Sequence, residues 1–516
     1  MNDLSPDLPA TPLSTNTSRA VLLIQWVGFF AGPLIALLIH ALAPDTLSEP
    51  ARRVLAIAAW MATWWVSEAV HVSVTALLPL VLLPLLRICT MKEAAAPYGD
   101  EVIFLFVGGF VIGEALQSSG LHKRIAINTL LAVGTSPARI VGGVMLTTAI
   151  ISMWVSNTAT TIMMLPIGIS LVALVEKCAR ANNENSGGWT PTAVRNLGIS
   201  VVLGIAYAAS IGGMGTPIGS PPNVIMMNFA RDKLGREIDF GRWMTIGIPL
   251  VAIFLPLAWL LLTRVLHPVH APEITGGREM LRNERRKLGR MSRAEWATLT
   301  VFLAAAFAWI ARSSIVQQFN LTIRIKERDV ALLTDAGIAV AAALLLFLIP
   351  LNFRRRTFVV SYDNVQKLPW GILILFGGGL SIADAMSRTG VDVFIGTQFT
   401  GLAGLPFVLV MLVLVAAIVF LGELASNAAV VTALMPVLVA AAPAMQMDPL
   451  VLMFGATLAA SCGFMLPVAT PPNAIAFATG RITQPQMLRA GLMLDIVGIL
   501  LITAVMGFAG SRLLSN

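Results

Sequence analysis

The segment Trp154-Val-Ser-Asn-Thr-Ala-Thr-Thr161 interrupts an apolar run at about 140–174, and its centre, Ser156-Asn157-Thr158, returns 270 residues later as Ser426-Asn427-Ala428, again in apolar surroundings. Working outward, the register holds: Gly108, Gly109, Glu114 and Gly120 map onto Gly378, Gly379, Asp384 and Gly390 at the same offset. Beyond the clusters, Gly215-Thr-Pro-Ile-Gly-Ser-Pro-Pro-Asn223 answers Met465-Leu-Pro-Val-Ala-Thr-Pro-Pro-Asn473 at an offset of 250, the difference falling on a polar insert at 176–195 that the second half lacks. The chain reads as two copies of one unit.

Composition says what surrounds those units. Of 516 residues, 57% are hydrophobic and 12% charged, and the mean hydropathy is +0.81. Soluble domains carry roughly 25% charged residues, so most of this surface must face lipid. The formal charge of +8 does not point to nucleic acid, because the basic residues lie between apolar runs, where they orient a chain in a bilayer. Cys89, Cys178 and Cys462 form neither a CxxC pair nor a disulfide framework. Residues 1–18, rich in Pro, Ser and Thr, read as a disordered tail and not as a cleaved signal.

A bilayer core of about 30 Å takes roughly 17–25 apolar residues in a helix. The spacing predicts an unpaired first span in 19–50, a first repeat over 51–266, a basic linker over 267–294 and a second repeat over 295–516. Each repeat has five spans, with apolar flanks of only about 16 residues on either side of its polar cluster. A break at mid-depth is tolerated where backbone is enclosed by protein or lines a cavity, which predicts a re-entrant hairpin with the cluster at its tip; a single kinked span is the alternative. The Pro-rich motifs predict broken helices, since proline lacks the N–H and disfavours helix in the residue before it. The expectation is an all-α polytopic membrane protein with about eleven spans. Because five is odd, the second repeat enters the membrane upside down, with the N-terminus cytoplasmic and the linker, carrying Arg282, Arg285, Arg286 and Lys287, on the same side.

Hydroxyl and amide side chains beside unwound backbone offer neutral oxygens to a hard cation, while helix N-termini at the same place suit an anion. The plainer alternative is that these residues only satisfy broken backbone or tie helices together. Four matched clusters, two at tips and two at breaks, favour the binding role. Glu423 beside the second tip, and the matched pair Glu114 and Asp384, are more readily structural acids than coupling groups. His267 and His270 lack a third ligand for a metal site.

The paired Ser-Asn-Thr and (Ser/Thr)-Pro-Pro-Asn motifs resemble the divalent-anion/sodium symporter family, from about residue 50 to the end. The resemblance implies sodium as coupling ion, no organic cofactor, and a first sodium site from Ser152, Ser156 and Asn157 with the backbone at Gly219. It implies a second, weakened site from Gly422, Ala425 and Asn427 with the backbone at Ala469. The substrate carboxylates are expected on Asn157, Thr158, Ser220, Pro221, Ser426, Asn427, Thr470 and Pro471. Gly422 and Ala428 depart from the family pattern, in which hydroxyl residues are common there. The resemblance further implies elevator-like transport of a small divalent anion, most simply a C4-dicarboxylate, by a homodimer in the bacterial inner membrane. A sodium-independent exchanger and a citrate or sulfate carrier are the alternatives within the family. An enzyme is not expected, since no nucleophile with a base, carboxylate dyad or metal-ligand group is evident at membrane depth.

Overall fold

Proline, glycine and hydroxyl caps set the helix boundaries. The computed structural model describes residues 19–134, 136–181, 190–269, 277–325, 328–366, 368–402 and 404–510. The tail at 1–18, His270 and residues 182–189 of the polar insert lie outside these residues. The first half contains α1 Arg19–Leu42, α2 Glu49–Ser67, α3 Val72–Thr75, α4 Leu78–Leu85, α5 Met91–Ala95, α6 Glu101–Ser118, α7 Leu121–Val133, α8 Pro137–Ser152, α9 Asn157–Ala181, α10 Pro191–Gly213, α11 Pro221–Leu234 and α12 Phe240–Leu260. After α13 Gly277–Lys287 the second half contains α14 Arg293–Gln318, α15 Asp335–Leu348, α16 Tyr362–Gln366, α17 Trp370–Thr389, α18 Val391–Gln398, α19 Phe407–Gly422, α20 Asn427–Ala444, α21 Pro449–Ala460, α22 Pro471–Ala478 and α23 Gln484–Val505. Two small antiparallel hairpins, Thr322–Ile325 with Arg328–Ala331 and Pro350–Asn352 with Thr357–Phe358, are the strands among the described residues.

The halves run through similar element series. Both bounds of α8 and α19 lie 270 residues apart, as do the starts of α9 and α20. Gly120 after α6 and Gly390 after α17 take left-handed φ values of 81° and 77°, a conformation open to glycine at little cost. The chain there turns into a further short helix, α7 or α18, neither of which the apolar runs predict; Leu121–Val133 is bent 68° from the helix before it.

Among the described residues, eight helices are long and apolar enough to cross a bilayer, or nine if that bent pair is one span. The sequence predicts eleven. The stretch at 71–86 is split at residues 76–77 into α3 and α4, with Pro79 in the first turn of α4, and α15 is 14 residues, shorter than the expected 331–351. The second arms of both interrupted regions, α9 and α20, are by contrast long enough to count, over Asn157–Glu176 and Asn427–Ala444. The basic linker, expected as a connector, contains the helix α13.

The buried centre is formed by α10 and α21, the helices that lead into the two breaks. Tyr207 meets Phe464 at 5.1 Å, and Trp243 stacks on Phe454 at 4.4 Å. The outside is apolar: Leu23, Trp26 and Phe30 on α1 and Phe307 on α14 are exposed. A face like that belongs in hydrocarbon and not in water. Cys89 and Cys462 are free thiols; the Cys178 side chain lies outside the described residues. Burial holds His267 below the ordinary imidazole pKa, with Arg489 and Arg195 adding to the effect.

Candidate functional site

Each of the four polar motifs opens a helix. Asn157 is the first residue of α9 and Asn427 of α20, while Ser220 and Thr470 are the N-caps of α11 and α22, with Pro221 and Pro471 as first helical residues. Proline is tolerated there because that N–H has no intrahelical partner anyway. Packing crosses the halves: α9 lies against α22, and α11 against α20. The helix that starts at the first tip therefore neighbours the helix that starts at the second break, and the reverse.

Both breaks are held by the same device. The Asn223 amide nitrogen donates to Gly213 O and Thr216 O, both at 2.8 Å. Asn473 donates to Gly463 O and Leu466 O, both at 3.0 Å. The acceptors stand ten and seven residues before the amide in each case, so one side chain closes the carbonyls that the unwound helix leaves open. The tips are then tied to the breaks: Thr216 Oγ1 donates to Met153 O, and Glu423 accepts from Met465 N at 2.8 Å and Leu466 N at 2.9 Å. Glu423 thus ties the second tip to its break, with buried Asp495 of α23 beside it.

At the first tip, Ser152, Asn157 and Gly219 come together. Turned so that its nitrogen faces oxygens, the Asn157 amide donates to Ser152 Oγ at 2.6 Å, Ala209 O at 2.9 Å and Gly219 O at 3.3 Å, and Ser152 Oγ donates to Ala209 O at 2.8 Å. Ser156 stands at the tip, its Oγ accepting from Ala159 N at 3.3 Å, and Thr158 follows in the first turn of α9. Ala209 is a member the sequence did not suggest, since it contributes only a backbone carbonyl.

The second tip is poorer in donors. Gly422 supplies no hydroxyl, and the buried Asn427 Oδ1 has no hydrogen-bond partner. Gly463 lies between Gly422, Ala469 and Thr470, and a Cβ on it would be 3.4 Å from Ala469 Cβ and 3.5 Å from Gly422 O. Ala425 is buried in the turn between Gly422 and Asn427. Thr470 Oγ1 accepts from Asn473 N at 3.3 Å.

Each serine opens on a cavity. Ser156 lines one of about 420 Å³ with Trp154 and Glu114, whose carboxylate accepts from Asn364 at 2.8 Å. Ser426 and Pro471 line another of about 660 Å³ with Glu68 and His71, and Pro369 borders both cavities. Asp384, the counterpart of Glu114, is instead paired with Arg388 at 2.7 Å and with Lys233 at 3.7 Å.

Apolar exterior, broken helices and two polar tips define a polytopic membrane transporter. Its sequence matches the model for the sodium:sulfate symporter transmembrane region over residues 23–515, and the chain belongs to that family of integral membrane proteins. It is 38% identical over 486 residues to the sodium-dependent dicarboxylate transporter SdcS of Staphylococcus saprophyticus, covering 94% of this chain and 91% of that one. It is 36% identical to SdcS of Staphylococcus aureus strain NCTC 8325 over 483 residues, covering 93% and 90%. Two solved transporters share the fold. The Alcanivorax borkumensis YdaH transporter aligns with a TM-score of 0.57 and 14% identity over 95% of this chain and 99% of its own. Neisseria gonorrhoeae MtrF aligns at 0.55 with 12% identity over 95% and 97%.

Proposed function

We propose that this protein is a secondary active transporter that carries a C4-dicarboxylate into the cell with sodium. The observation that carries the reading is the group of oxygens around Asn157. With its amide turned the other way, Asn157 Oδ1 joins Ser152 Oγ and the carbonyls of Ala209 and Gly219 as neutral donors for a hard cation; the amide nitrogen takes the cation's place in the orientation described above. The substrate carboxylates are assigned to the helix starts at Asn157, Thr158, Ser220 and Pro221 and at Ser426, Asn427, Thr470 and Pro471, where open N–H groups and the helix dipole favour negative charge. The second cation point, Gly422, Ala425, Asn427 and Ala469, offers fewer oxygens. The names of the staphylococcal relatives support both sodium and the dicarboxylate.

Two inverted repeats with re-entrant tips, alternating access by elevator-like movement, a homodimer, and an inner-membrane location with a cytoplasmic N-terminus complete the proposal. In proteoliposomes, an inward sodium gradient should drive succinate uptake, and Asn157→Ala or Asn427→Ala should abolish it. Uptake retained in both variants rejects the site. The absence of side-chain hydroxyls at Gly422 and Ala428 favours a second reading, sodium-independent exchange, which counterflow in sodium-free buffer would establish.

A further inference from the structure

The cavity at the second tip contains a carboxylate of the protein's own. Glu68 closes α2 with φ 46° and ψ 33°, a left-handed conformation that a helix C-terminus usually gives to glycine or asparagine and that strains other residues. The turn it belongs to is fixed, because Trp65 Nε1 donates across it to Val72 O at 3.1 Å. Glu68 lines the 660 Å³ cavity together with Ser426 and Pro471, and the backbone N–H of Ser426 faces its carboxylate. Ser426 makes no capping bond with its side chain, so the first-turn N–H groups of α20 are open to an anion. At the first tip the acid that lines the cavity is differently placed: Glu114 is engaged by Asn364.

His71 lines the same cavity. Its Nδ1 accepts from Ser73 N at 3.4 Å, which leaves the proton of the neutral ring on Nε2 as a donor. A carboxylate leaving the tip has an acceptor's place beside it.

We propose that Glu68 is a built-in competitor for the substrate: without substrate its carboxylate stands at the open first turn of α20, and the incoming dianion displaces it toward His71. The inference rests on the reading of this chain as a dicarboxylate carrier and adds a residue that sets affinity from outside the four motifs.

Succinate binding to the purified full-length protein, measured by calorimetry at fixed sodium chloride, tests this. Removing one like charge at contact distance in water-like surroundings is worth about a factor of five, so Glu68→Gln should bind succinate at least about fivefold tighter than wild type. Thermal shift by sodium alone should be unchanged. Glu68→Gly, which also relieves the left-handed strain, should tighten binding in the same direction and keeps the test open should Glu68→Gln fold poorly. Equal or weaker affinity in the folded variants, with wild type binding normally, overturns the inference. Wild-type protein that binds no succinate, fumarate or malate brings down the functional proposal itself, a different outcome.

Discussion

At the scale of single residues, the breaks depend on two amides. Asn223 and Asn473 are fully buried; each bonds Gly213 O or Gly463 O and shares a second carbonyl, Thr216 O or Leu466 O, with the N–H of Gly219 or Ala469. Asn473→Ala strands Gly463 O, at about 1–3 kcal/mol, and takes from Leu466 O one of its two donors. Asn473→Asp is worse, because a carboxylate oxygen then faces two carbonyl oxygens with no donor between them. Thermal unfolding in detergent should rank wild type above Ala and Ala above Asp; an Asp variant more stable than Ala contradicts the clamp. The second tip makes an opposite prediction, of gain. A Cβ on Gly422 would lie 3.4 Å from Asn427 Oδ1, an ordinary contact, so Gly422→Ser fits and brings a hydroxyl to an oxygen that lacks a donor. One recovered ligand worth about 1 kcal/mol lowers the sodium concentration for half-maximal succinate uptake about fivefold. An unchanged sodium titration would mean that the missing hydroxyl is not what weakens this point.

At the scale of helices, the two halves grip each other through matched glycines. A Cβ on Gly108 of α6 would run into the backbone of Ala339 in α15, and one on Gly378 of α17 into the backbone of Ala76. Neither backbone can yield as a flexible side chain would. Gly108→Val therefore forces α6 away from α15, at about 1–3 kcal/mol or more, and should lower the unfolding temperature and the monodisperse yield on gel filtration; an unaffected variant would show that the contact is loose. These helices were legible in the sequence, since Gly108, Gly109 and Gly120 recur at one offset. What followed them was not. The helix α7 carries His122, Lys123 and Arg124 in its first turn and looks like a polar connector until Arg124 is seen holding Glu295 at 2.7 Å and the carbonyls of Leu288, Gly289 and Arg290. Those partners stand more than 160 residues away, beyond any local pattern. The same limit applies to the site: Ser152 and Asn157 sit five residues apart on one tip, but Ala209 enters through its carbonyl, which every residue possesses and no motif marks.

At the scale of the molecule, the question is the sense in which the halves are threaded. Cross-packing of α9 on α22 and of α11 on α20 sets the helix that opens at each tip against the helix that opens at the other half's break, an exchange that an upside-down second copy produces by symmetry about an axis in the membrane plane. That arrangement places the linker helix α13 and the Phe353-Arg-Arg-Arg356 turn on the cytoplasmic side, where Lys and Arg are favoured, and the turn at Asp45 outside. Arg285, Arg355 and Asp45 are all exposed, so each accepts a cysteine without disturbing packing. In a background carrying Cys89→Ser, Cys178→Ser and Cys462→Ala, a membrane-impermeant maleimide applied to intact cells should label Asp45→Cys and spare Arg285→Cys and Arg355→Cys until the membrane is permeabilised. Labelling of Arg285→Cys without permeabilisation, at the level of Asp45→Cys, would place the linker outside. The first half would then hold an odd number of crossings after α1 no longer, the second copy would run in the same sense as the first, and the two tips would approach from one side of the bilayer instead of from opposite sides.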